Sequence, residues 1–196
     1  MKDSIIRISI TLLDVDPAIW RRIEVPANMT LEGLHDVIQI IMGWADYHLH
    51  HFQSGSVMYG APTPDDREMH DGRKIKLSTA LVDGERVFDY VYDYGDNWGC
   101  VVVLEAVAPT IPGVAYPRLV EGARRGPPED VGGPWGYGEF LEAIADSKHE
   151  RHKELLERCG ADFDPQQFDI NEINRCLASL APRKSIRRKT AKPAAG

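Results

Sequence analysis

The chain has 196 residues, 43% of them apolar and 27% charged, and carries a formal net charge of −7. That composition predicts a soluble globular domain and excludes collagen-like, coiled-coil and disulfide-scaffold classes. No apolar stretch approaches the ~18 residues of a membrane span, the opening MKDSIIRISI lacks the apolar core of a secretory leader, and three distant cysteines, Cys100, Cys159 and Cys176, fit free thiols in a reducing cytoplasm.

Ile6, Ile8, Ile10 and Leu12 alternate with Arg7, Ser9 and Thr11 and predict a strand over 6–12. Asp14-Val15-Asp16-Pro17 turns the chain, and Trp20 to Val25 reads as its antiparallel partner, stopped by Pro26. Thr30 is the expected N-cap of a helix over 31–42, whose apolar stripe is Leu31, Leu34, Ile38, Ile41 and Met42, with Gly43 at C′. His48 to Tyr59 is expected to be extended, 62–74 a loop, and 78–82 a short helical turn. Strands over 87–92 and 98–107 flank Asp93-Tyr94-Gly95-Asp96-Asn97, the clearest hairpin in the chain. Residues 109–138 hold six prolines and seven glycines and predict an ordered but irregular segment. Helices near 137–145 and 148–159 follow, with Gly160 as the stop. A last helix is expected to start at Asp164-Pro165-Gln166-Gln167 and to carry Ile173, Cys176, Leu177 and Leu180 on one side. The order argues for an α+β domain over residues 1–180, with a mainly antiparallel sheet, one helix after the first hairpin and a C-terminal helical segment.

Charge is uneven. Residues 181–196 hold six basic residues and no acid, leaving 17 basic against 30 acidic residues, a net −13, in the body. The tail is too polar to fold by itself and is expected to be a disordered, dispensable terminus; weak nucleic-acid contact is its functional alternative. An acidic body repels a phosphate backbone.

Three segments concentrate chemistry. In Trp44-Ala45-Asp46-Tyr47-His48-Leu49-His50-His51, a strand would place His48 and His50 on one face about 6.6 Å apart. With Asp93 and Asp96 they form the expected ligand set for a divalent metal, the candidate cofactor; packed histidines bonded to polar neighbours are the structural alternative. His35, beside Leu31 and Ile38, reads as a satisfied, half-buried histidine. In Tyr90 to Trp98, a tight turn accounts for Gly95 and one acid, but not for three tyrosines, Trp98 and both Asp93 and Asp96, which suit an aromatic-walled ligand site. In Arg124 to Tyr137, Pro127-Pro128 stiffens the chain ahead of Glu129-Asp130, and the glycines permit close backbone approach; a rigid connector has the same features. Cys100, within an apolar strand, reads as core. No Walker loop, dinucleotide fingerprint, nucleophile elbow or HExxH motif occurs. The composite site expected from these segments is Trp44, His48, His50, Asp93, Tyr94, Asp96, Trp98, Arg124, Glu129 and Asp130, with His48, Asp93, Asp96, Arg124 and Glu129 in one pocket.

The phrases PAIWRRIEVP, LHDVIQIIMGWADYHLHHF, YVYDYGDNWGCVVVLE and RGPPEDVGGPWGYGEFLEAI, followed by FDPQQFDINEIN, together resemble the plasmid Ri-type open-reading-frame-three-like family. The resemblance spans about residues 4–180. Its members are often labelled TnpR-like or transposon passenger proteins. It implies a compact α+β fold and an association with mobile elements, but no activity. A serine recombinase needs a nucleophilic serine, supporting arginines and a recognition helix; Ser4 and Ser9 lie on the first strand and no such helix is evident, so the label reads as genomic company. The expectation is an accessory domain that binds an unidentified ligand or protein partner, without membrane contact. A metal-dependent hydrolase, with Glu129 or Asp130 as base, and a nucleic-acid-associated factor are the alternatives.

Overall fold

A computed structural model describes residues 3–62, 68–160 and 163–180; the basic tail over 181–196 lies outside them. The described chain is an α+β domain. Eight strands form one sheet: β1 (Ser4–Leu12), β2 (Trp20–Pro26), β3 (His50–Ser54), β4 (Val57–Gly60), β5 (His70–Asp71), β6 (Val87–Tyr92), β7 (Trp98–Pro109) and β8 (Arg118–Ala123). Their order is β5-β4-β3-β6-β7-β1-β2-β8. All neighbours are antiparallel except β4 and β5. Five helices accompany the sheet: α1 (Leu31–Met42), α2 (Leu77–Val82), α3 (Gly133–Ala145), α4 (His152–Cys159) and α5 (Ile170–Leu177). None is long and apolar enough to cross a membrane among the described residues.

The alternation read in 6–12 is the burial pattern observed: Ile6, Ile8 and Ile10 are buried while Arg7 and Thr11 face solvent. The α1 helix occupies the expected 31–42. Thr30 Oγ1 accepts from the Gly33 amide at 3.1 Å, and Gly43, at φ 80°, closes the far end with its amide on the Gln39 carbonyl. Cys100 is buried, and burial pushes its thiol up to about 12, as a core position requires.

Two expectations change. The 109–138 segment contains β8, an edge strand on β2. Proline and glycine content masks it, because the strand lies between Pro117 and the 124–136 glycines and needs only six residues. Asn174 clamps this edge, its Oδ1 accepting from the Leu119 amide at 2.7 Å and its Nδ2 donating to the Leu119 carbonyl at 2.9 Å. The last helix starts at Ile170, not at Asp164-Pro165. Asp164 builds a turn, accepting from the Gln166 amide, while Asp169 is the cap, accepting from the Asn171 and Glu172 amides. Both aspartates offer the same side-chain acceptor. Smaller shifts are that α3 begins at Gly133, ahead of Tyr137, that α4 begins at His152, after Lys148, and that the 62–74 segment contains the two-residue β5.

Glu24 sits in the sheet with only 3% of its surface exposed. Burial by itself would raise its carboxyl, but hydrogen bonds from Arg7 and Arg118, at 2.8 Å each, hold it below its ordinary value. A carboxylate lower in the folded than in the unfolded chain stabilises above its unfolded pKa, and that stabilisation is lost as pH falls below about 4.5. Glu24→Gln is therefore expected to cost about 2 kcal/mol at pH 7, the partly exposed arginines being screened by solvent, and much less at pH 3.5. Urea unfolding of both proteins at the two pH values measures this; an equal cost at both would show that the charge is irrelevant.

Candidate functional site

Three loops meet where β6 ends and β7 begins. The first runs from Gly43 to Leu49, between α1 and β3. The second is the 93–97 turn, and the third is 124–132, between β8 and α3. The third loop is docked by tight fits and hydrogen bonds. Gly126 lies so close to the end of α1 that a Cβ there would stand 1.9 Å from the Met42 carbonyl oxygen. Trp44 Nε1 donates to the Pro127 carbonyl at 3.2 Å, and the Trp44 ring stacks on Tyr92 at 4.8 Å. Glu129 Oε1 accepts from the Ala45 amide at 2.7 Å and from the Tyr92 hydroxyl at 3.0 Å. Asp96 Oδ2 accepts from the Gly132 amide at 3.0 Å.

This arrangement gathers four of the expected residues. His48 Nε2 lies 3.1 Å from Asp130 Oδ1, 3.6 Å from Asp93 Oδ2 and 4.0 Å from Glu129 Oε2. Asp93 is held by its own turn, its Oδ1 accepting from the Gly95 amide at 2.9 Å, and Arg158 donates to the Asp130 carbonyl. Asp46, Asp93, Asn97, Arg124 and Asp130 all have positive φ between 53° and 69°. That region is uncommon for any residue with a side chain, and such residues cluster at functional sites.

The other expected residues are placed elsewhere. His48 precedes β3, which begins at His50, so the two histidines do not share a strand face. His50 stacks on His35 at 3.4 Å, with its Nε2 3.6 Å from Glu32 Oε2. His35, His50 and Asp46 have donor atoms within 4.8 Å of one another, but hydrogen bonds account for two of them. Gln39 Nε2 donates to the Tyr90 hydroxyl at 3.1 Å, leaving that hydroxyl to donate to His35 Nδ1 at 2.9 Å and His35 Nε2–H to donate to Asp46 Oδ1 at 3.0 Å. His35 is thus satisfied, as expected, but it is fully buried rather than half-buried. Burial, and next the neighbouring His35, bring His50 down to about 4. Asp96 stands one hydrogen bond away, on Gly132, rather than among the His48 carboxylates. Trp98 is fully buried behind the turn, and Tyr94 bonds His51 Nδ1 at 3.1 Å. Arg124 turns away altogether and lines a separate cavity. It therefore does not pair with Glu129 or Asp96, and the expected single pocket is divided.

Sequence reasoning missed the positioning residues Tyr92 and Gly126. Tyr92 was legible as one of three clustered tyrosines; nothing local distinguishes the one whose hydroxyl reaches Glu129. Among the described residues, five buried side-chain atoms lack a hydrogen-bond partner: Glu32 Oε2, His48 Nε2, His50 Nε2, Trp98 Nε1 and Glu129 Oε2. Of these, His48 Nε2 and Glu129 Oε2 belong to the four-residue cluster, while Glu32 Oε2 and His50 Nε2 face each other at 3.6 Å beside His35; a folded protein ordinarily satisfies such atoms.

The chain is 41% identical over 198 residues to the uncharacterized protein y4hQ of Sinorhizobium fredii (strain NBRC 101917 / NGR234), covering 97% of this chain and all of that one. The crystal structure of a protein of unknown function, MM3350 from Methanosarcina mazei Go1, superposes with a TM-score of 0.81 at 38% identity, covering 88% of this chain and 98% of that one. The model of the plasmid pRiA4b ORF-3-like proteins matches residues 4–172. With nearly the whole described domain matched, the chain belongs to the plasmid pRiA4b ORF-3-like family.

Proposed function

We propose that this chain binds a divalent transition-metal ion through His48 Nε2, Asp93 Oδ2 and Asp130 Oδ1, with Glu129 Oε2 at the fourth position. The observation that carries the reading is that His48 Nε2 and Glu129 Oε2, two buried atoms that make no hydrogen bond, face each other 4.0 Å apart with carboxylate oxygens of Asp130 and Asp93 at 3.1 and 3.6 Å from the same nitrogen. Donors held 2.0–2.1 Å from one tetrahedral ion stand about 3.3–3.4 Å apart. The His48 distances of 3.1, 3.6 and 4.0 Å bracket that value. One imidazole with oxygen donors suits zinc, manganese or iron(II). Glu129 is oriented by two donors on one oxygen while the other is free, which supports a second reading, a metal-assisted hydrolase with Glu129 as general base. Three free cysteines support residence in a reducing cytoplasm.

The test is elemental analysis of untagged protein, followed by chelation and titration with zinc, manganese and iron(II). About one ion per chain is expected. Chelation is expected to lower the melting temperature by roughly 5–10 °C, as loss of a ligand present at 100 times its Kd would, and one equivalent of metal to restore it. Protein that carries no ion and binds none of the three metals more tightly than millimolar overturns the reading.

A further inference from the structure

A cavity of about 380 Å³ opens between the C-terminal end of α1, the 124–126 segment and the chain leading through α5. Its apolar wall includes Ile40, Met42, Trp44, Phe168 and Ile173, and three arginines, Arg21, Arg124 and Arg125, also line it. We propose that this cavity binds a small organic anion, a carboxylate or phosphate head on an apolar body, with Arg21 and Arg124 receiving the head.

Arg21 is the main observation. Only 1% of its surface is exposed, and a buried charge ordinarily has a counter-charge. Its Nε donates to the Ile41 carbonyl at 2.8 Å, and its Nη1 to the Trp20 and Ala123 carbonyls at 2.9 and 2.7 Å. The guanidinium lies 4.8 Å over the Phe168 ring. Those carbonyls, one of them at the negative end of α1, offset part of the charge. These hydrogen-bond partners are all neutral carbonyls, and among the described residues no carboxylate forms an ion pair with this guanidinium. Burial lowers this guanidinium to about 10, so it stays charged at neutral pH.

The other two arginines repeat the pattern. Arg125 Nη1 donates to Gln167 Oε1 at 3.0 Å and stacks over Phe163. Arg124 reaches the Gln166 amide oxygen at 2.7 Å, in the amide orientation that satisfies both groups. Both partners are neutral. Arg7, Arg22, Arg73, Arg118 and Arg151 each reach a carboxylate. Arg21, Arg124 and Arg125, like Arg86, Arg158 and Arg175, form no ion pair among the described residues, but these three alone converge on one cavity. Two acids do border the cavity, Asp169 and Glu172. Asp169 Oδ1 is occupied in capping α5, and neither acid forms an ion pair with the three arginines among the described residues. A mostly apolar cavity with a few convergent polar groups is the usual form of a small-molecule site, and guanidinium forks suit planar carboxylates and phosphates.

The test titrates the full-length protein with 4-phenylbutanoate and phenyl phosphate, following heat and the total tryptophan fluorescence, to which Trp44 at the cavity contributes, with benzyl alcohol as neutral control and inorganic phosphate as the head alone. The expected result is saturable binding of at least one apolar anion, ten-fold or more tighter than benzyl alcohol and than inorganic phosphate. Preference between the two organic anions identifies the head. Arg21→Gln removes bonds that also hold α1, so Arg124→Gln with Arg125→Gln is the informative variant; it is expected to fold, to retain the metal of the His48 site, and to lose ten-fold or more in anion affinity. Equal binding of anion and neutral control, no binding of either anion, or unchanged affinity in the double variant overturns the proposal. None of these outcomes bears on the metal reading, which has its own readout.

Discussion

Replacing His48 with alanine is expected to weaken divalent-metal binding by about 100-fold or more while changing the melting temperature of the metal-free protein by only a few degrees. His48 supplies the lone nitrogen of the proposed set, and losing a ligand costs at least as much as the 10–100-fold seen when a supporting group is lost. Its Nε2 makes no hydrogen bond, and the ion-pair contact it loses, to Asp130 at 3.1 Å, is with a largely exposed carboxylate that water can solvate instead, so its removal costs little folding energy. Asp93→Asn sharpens the test. Asparagine tolerates the positive φ of 57° at this position, and its Oδ1 can still accept from the Gly95 amide. The change therefore keeps the turn and removes one charge from a group that holds Asp93, Glu129 and Asp130 around one imidazole. With metal bound, Asp93→Asn is expected to lower affinity; without metal it is expected to raise the melting temperature, because like-charge repulsion is relieved. Isothermal titration with zinc or manganese and parallel thermal scans measure both effects. A variant that keeps wild-type affinity, or a metal-free Asp93→Asn protein that melts much earlier, would make the cluster a structural one.

Gly126→Ala is expected to cost about 3 kcal/mol, or roughly 6–12 °C in melting temperature for a chain of this size. The added Cβ would stand 1.9 Å from the Met42 carbonyl oxygen and 2.8 Å from its carbon. Both are backbone atoms at the end of a helix, so no flexible side chain can swing away. Either the 124–132 loop lifts or the last turn of α1 yields. The Trp44 Nε1 to Pro127 carbonyl bond and the Ala45 amide to Glu129 bond would then lengthen, so metal retention should fall together with stability. Gly138→Ala is the control: it also lies beside the 124–132 loop in sequence, but a Cβ there meets nothing within 4 Å, and a mid-helix alanine is expected to stabilise by about 0.5–1 kcal/mol. Denaturant unfolding of the two variants checks the contrast; a Gly126→Ala protein as stable as wild type would show that the loop is not locked at this point.

The local signals behaved according to how local their physics is. Thr30 and Gly43 mark the ends of α1 because a cap acts within one helical turn, and the alternation in 6–12 survives because one sheet face is buried along its length. Pro165 misled because its neighbour Asp164 can accept from the next amides in a turn as well as at a helix start. The strand 118–123 was hidden by the prolines and glycines around it, and its pairing with β2 is a contact across about a hundred residues of chain.

Composition and periodicity determined the α+β class, the antiparallel sheet and the crowding of histidines, acids and aromatics into three short segments. Residue types and spacing carry that information, because burial on one face imposes a period and unusual backbone conformations select Gly, Asp and Asn. Only the tertiary structure decided which members of those segments meet. His48 joins Asp93, Glu129 and Asp130, while His50, two residues on, joins His35 and Glu32, because the chain leaves its loop and enters β3 between them. Arg124 parts from Glu129 for the same kind of reason: Gly126 presses the backbone against α1, and the side chains on either side of that contact face different spaces. Convergence of groups distant in sequence depends on loop docking, and docking is set by packing contacts that no local pattern records.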